Sequence, residues 1–162
     1  MSFSLPPRCR HLAIHLALLG LIPALCFSIP ARAAAHDEVV TPDMLTQLEQ
    51  RASQANPREQ AYLYTQLIHT MTQEAGRQIA DGETQQAATT LKKVDRYAHL
   101  IQLSLAHNAK RLKDAQELIH NTTYRLAQIL HLVSGEDRTA VQNTLKQLDQ
   151  VNEELLTQVF TQ

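Results

Sequence analysis

Tryptophan is absent from this chain, and cysteine occurs only twice in 162 residues. Both cysteines, Cys9 and Cys26, lie in the first thirty residues. Everything beyond them therefore has no thiol for a disulfide, a soft-metal site or a nucleophile. With four Tyr and three Phe, platforms for stacking bases or sugars are scarce. Fifteen Lys and Arg face sixteen Asp and Glu. The basic excess that a general nucleic-acid or anionic-membrane binder needs is missing. Glycine-rich phosphate loops and strand-to-helix nucleophile elbows are missing too.

What is present begins with an export pattern. Residues 1–11 contain Arg8 and Arg10 and no acid, and residues 12–29 are apolar apart from His15 and Ser28. Pro30 and the small-residue run Ala31-Arg32-Ala33-Ala34-Ala35 follow. This order predicts a secretory signal cleaved after Ala33 or after Ala35. An uncleaved anchor needs about twenty unbroken apolar residues, and Gly20 and Pro23 interrupt this run. Lipidation at Cys26 calls for a small residue before it, where Leu25 stands. The division is thus 1–33 signal peptide and 34–162 mature domain, a length suited to one fold. The expected destination is the periplasm or the exterior. With the three signal arginines gone, twelve basic residues face sixteen acids, a net charge of about −4 with His neutral.

The mature part keeps two Pro and three Gly, and all of these but Gly76 stand where helix ends belong. Thr41-Pro42 and Asn56-Pro57 each pair a capping side chain with proline at the first helical position. Glu59 stands three residues after Asn56, as in a capping box. Asp81-Gly82 offers a left-handed helix end. Tyr64, Ile68, Met71, Ala75 and Ile79 mark one helical face. From 83 to 133 there is neither Gly nor Pro, and alternate steps of three and four from Leu91 reach Val133. Eleven of those thirteen positions are apolar, so the heptad runs for six repeats. The fold expected is all-α: helices at about 42–54, 57–81, 83–133 and 137–160. The long one, about 75 Å, carries a coiled-coil-like seam with the shorter ones folded back antiparallel on it. The rival reading breaks the long helix near His107-Asn108 and yields a compact four-helix bundle.

Candidate chemistry is thin. Six histidines follow the signal, but His99, His107, His120 and His131 are spaced by 8, 13 and 11, not the three or four of a helical metal pair. They fall on outward heptad positions. One conditional site exists: cleavage after Ala33 gives Ala34-Ala35-His36, whose amine, two amides and His36 imidazole suit Cu(II) or Ni(II). Cleavage after Ala35 destroys it. The adjacent carboxylates Glu153-Glu154 and Glu136-Asp137 point apart on a helix. No catalytic residue and no cofactor is nominated. The basic clusters Lys92-Lys93-Arg96 and Lys110-Arg111-Lys113 read as solvated faces able to meet an acidic partner.

Asn108, Thr122 and Asn152 are polar residues at seam spacing, a device that fixes register. Leu105, Asn108 and Leu112 are the expected contact for a second copy or a partner helix. Gly82, Ala87, Leu91 and Val94 resemble the second helix of a tetratricopeptide repeat, over thirteen residues in one copy, without the motif's first-helix signature or closing Pro. Exported helical chaperones of the Spy and CpxP type are similar in size and compartment, but Leu45-Thr46-Gln47-Leu48-Glu49 lacks the final Gln of their Leu-Thr-x-x-Gln signature. No function is carried over from either. The leading expectation is a non-enzymatic exported interaction or scaffold protein acting through the seam. The alternative is a periplasmic stress or metal-linked accessory protein of chaperone-like kind.

Overall fold

The computed structural model describes residues 40–161. The export signal and His36 lie outside them. The described chain is helical from Pro42 onward: α1 (Pro42–Gln54), α2 (Pro57–Ala80), α3 (Thr84–Leu105), α4 (Leu112–Leu130) and α5 (Gly135–Thr161). The local chemistry sets most boundaries. Thr41 Oγ1 accepts from the Met44 amide at 3.2 Å, and Asn56 Oδ1 accepts from the Arg58 amide at 3.0 Å. Each satisfies one orphan N–H behind a proline that has none to satisfy. At the end of α2 the Glu83 amide bonds the Gln78 carbonyl and the Gly82 amide bonds that of Ile79. This paired closure puts Gly82 at φ 78°, where a Cβ is penalised.

The expected single helix over 83–133 is instead two, α3 and α4, separated by residues 106–111. The bundle form of the sequence reading is the one the chain adopts. No glycine or proline makes this corner. Asn108 and Arg111 take φ 54° and 57°, a conformation Asn tolerates better than most residues. Distant partners hold it there. The Lys110 amide donates to the Arg58 carbonyl at 2.6 Å, and Arg58 Nε donates to the Asn108 carbonyl at 3.1 Å. The Arg111 guanidinium lies 3.6 Å from the Tyr62 ring centroid and pairs with Asp114. Ala109 is buried in the core between them.

The helices form two antiparallel hairpins, as the short loops imply. Tyr64 stacks on Tyr97 at 5.8 Å in the α2–α3 pair. Gln116 bonds Asn152, and Arg138 bonds the Leu130 carbonyl, in the α4–α5 pair. The hairpins lie side by side, so α2 runs parallel to α4 and α3 parallel to α5. Contacts from His69 to Thr122 and from Gly76 to Ile129 fix the first register, and Gln102 to Glu154 fixes the second. The sequential helices α3 and α4 sit on a diagonal without substantial contact. The helix at the centre is therefore α2, which packs on α1, α3 and α4. Its turn at Gly76 lets Ile129 come within 3.0 Å of where a Cβ would stand.

The core is a single aliphatic cluster including Leu67, Ile68, Val94, Ile101, Ile119, Leu126, Leu148 and Leu155. Several buried hydroxyls spend their proton on the preceding turn: Thr65 on the Ala61 carbonyl, Ser104 on Leu100, Thr122 on Leu118. Such local pairing satisfies a hydroxyl proton within its own helix in a dry interior.

Candidate interaction site

The three residues expected to form the seam contact fall in different settings. Leu105 closes α3 and is half-buried against the core. Leu112 opens α4 and is 6% exposed, so it belongs to the domain's own interior. Asn108 stands exposed at the corner, its carbonyl held by Arg58. They do not make one continuous exposed stripe, because the corner turns the chain between them. Thr122 and Asn152, the other polar seam residues, bond His69 and Gln116 of neighbouring helices inside the bundle. Their spacing marks the buried faces of short helices as well as it would a coiled coil.

Leu105 does border a surface feature. A groove of about 540 Å³ runs between the C-terminal turns of α3 and α5, lined by Gln102, Leu105, Ala106, Glu154, Thr157 and Gln158. Because α3 and α5 are parallel, their C-terminal turns share one end of the bundle. Large apolar side chains are exposed on those turns: Leu103 at 55%, Leu156 at 41% and Phe160 at 81%. The sequence pattern gave little sign of them, since each lies off the apolar stripe of its helix. The histidines of the long segment, His99, His107, His120 and His131, are all exposed, as their outward spacing implied.

The polar groups that depart from ordinary behaviour lie elsewhere. His69 is half-buried between α2 and α4. Thr122 Oγ1 gives its proton to Leu118, so it accepts from His69 Nδ1 at 2.9 Å. Gln73 Nε2 then faces His69 Nε2 at 3.1 Å as a donor. This arrangement fits the neutral ring, and burial, with Arg125 adding repulsion, holds its pKa below the usual histidine value. Burial raises the carboxyl of Asp95 on α3, offset in part by the Thr144 hydroxyl on α5. Even so, neither Asp95 Oδ1 nor Thr144 Oγ1 has a well-formed hydrogen bond. Tyr97 donates to Glu49 of α1, and burial with that carboxylate pushes the phenol up. At the end of α2, Arg77 binds Glu74 in a two-bonded fork and also reaches Asp81, lowering Glu74.

His69 and Tyr97 thus link neighbouring helices, while Arg77 ties together the end of α2. Among the described residues no three His, Cys, Asp or Glu side chains stand together as metal ligands, and no helix is long and apolar enough to cross a membrane. Of the two basic clusters, Arg111 is engaged by Tyr62 and Asp114, whereas Lys92, Lys93 and Arg96 are exposed on α3. Compared with protein-family models, with curated proteins and with solved structures, the chain matches none.

Proposed function

We propose that this chain is an exported, non-enzymatic binding protein that takes an apolar helix of another protein at the end of the bundle shared by the C-terminal turns of α3 and α5. The observation that supports this reading is the exposed apolar set Leu103, Leu156 and Phe160 on the C-terminal turns of α3 and α5, the turns that also form a groove lined in part by Leu105. Large side chains left in water at one end of a bundle are suited to burial against a partner. The groove rim carries Glu153 and Glu154, so a partner helix with basic residues flanking its apolar stripe fits best. Export follows from residues 1–35, and the mature chain acts in the periplasm or outside the cell.

A photo-crosslinking amino acid at Leu103 tests the reading in the native compartment. A discrete protein adduct that disappears on Phe160→Ser is expected. The same adducts from the opposite end of α3, at Thr89, would contradict a dedicated site. An exported protein whose first residue is still Met1 would contradict cleavage.

A further inference from the structure

The corner at residues 106–111 separates two halves of a sequence pattern that does not itself stop there. Leu91 to Val133 keeps its three-four apolar spacing straight through Leu105, Asn108 and Leu112. The six corner residues, Ala-His-Asn-Ala-Lys-Arg, include no helix breaker. Two of them, Asn108 and Arg111, hold left-handed backbone without being glycine. The helices they join sit diagonally, with little direct contact to lose. Every large interface between the hairpins is instead α2 against α4 or α3 against α5.

We infer that two copies of this chain exchange hairpins by straightening residues 106–111 into helix. The α2–α3 hairpin of one copy then packs on the α4–α5 hairpin of the other, through the same α2–α4 and α3–α5 contacts. Because α3 and α4 run oppositely in the bundle, straightening requires the two chains to lie antiparallel about a two-fold axis near Asn108. Leu105, Asn108 and Leu112 of both copies then lie near that axis, on the continuous stripe that the corner interrupts in the closed form. Exchange relieves the two left-handed residues in each chain and adds helical hydrogen bonds over the corner. It gives up the bonds from Arg58 to Asn108 and Lys110 and the stacking of Arg111 on Tyr62. Short hinges whose backbone is strained in the closed form favour this kind of exchange. This inference does not rest on the partner groove, because Leu103 and Phe160 play no part in the hinge.

The test uses the full chain with Cys9 and Cys26 replaced by serine, refolded from urea at micromolar and at near-millimolar concentration. Gln102→Cys and Glu154→Cys place thiols on α3 and α5, which face each other in the bundle. A short bis-maleimide then reports which chains are joined on a denaturing gel. Exchange predicts a dimer fraction at high concentration whose crosslink joins two chains, while the monomer fraction closes internally. Asn108→Leu, which favours helix over the left-handed turn, raises the dimerisation constant about tenfold, and Asn108→Gly lowers it by a similar factor. Arg111→Gly is an independent second hinge variant and moves the constant down as well. A dimer crosslinked only within each chain, a monomer at every concentration, or hinge variants without effect would each overturn the inference.

Discussion

At the scale of single residues, two half-buried titratable groups give the fold opposite responses to acid. His69 is held neutral, with a pKa below that of the unfolded chain. Its contribution is fully present above about pH 6.5 and is lost as the pH falls, because the unfolded chain then binds a proton the native ring resists. The slope cannot exceed about 1.4 kcal/mol per pH unit for one proton. Urea melts between pH 5 and 7 should show wild type losing stability toward pH 5, and His69→Gln losing less. Asp95 behaves in the other sense. Its raised carboxyl is favourable below the unfolded value near 3.8 and unfavourable once ionised. Asp95→Asn should raise stability at pH 7 by less than about 1 kcal/mol, since the group is only half-buried. The gain should vanish below about pH 4 in the same melts. Neither group was legible in the sequence. One histidine among six and one carboxylate among sixteen look alike until a second helix covers them.

At the scale of elements, the ends of α1 and α2 were legible because their causes are local. Thr41-Pro42, Asn56-Pro57 and Asp81-Gly82 each carry the capping chemistry within a few residues. The corner between α3 and α4 was not legible, for the converse reason. Its determinants are Arg58 and Tyr62, about fifty residues away, and the burial of Ala109. A three-four apolar rhythm is equally the mark of one long seam and of two shorter amphipathic helices that happen to keep phase. Asn108→Val puts a β-branched side chain into left-handed backbone and should cost about 1–2 kcal/mol in urea denaturation at low concentration. Gly82→Ala meets the same penalty at the α2 end, with about 1 kcal/mol lost.

The three residues of the expected contact are placed apart by the fold. Leu105 does face a groove, while Leu112 turns into the core and Asn108 into the corner. The pattern identified which residues are apolar and periodic, and it could not say which side of a bundle each would face. Leu103, Leu156 and Phe160 were invisible for the complementary reason: an exposed apolar residue off the stripe has no period to betray it.

At the scale of the molecule, stability rests on aliphatic packing around α2, with no disulfide available to the described residues. Ile119→Ala and Leu148→Ala, both fully buried, should each cost about 2–5 kcal/mol. Leu103→Ala should change stability by no more than about 0.5 kcal/mol, because that side chain is already in water. Chemical denaturation of the three variants side by side separates core from surface. The central claim is that one apolar repeat is divided into two helices that turn back on each other. Spin labels at Lys93→Cys and Gln128→Cys, both exposed positions, measure this directly in dilute monomer lacking the native cysteines. Packed hairpins predict a separation under about 30 Å. A distance near 50 Å, that of an unbroken helix over those residues, would contradict the account.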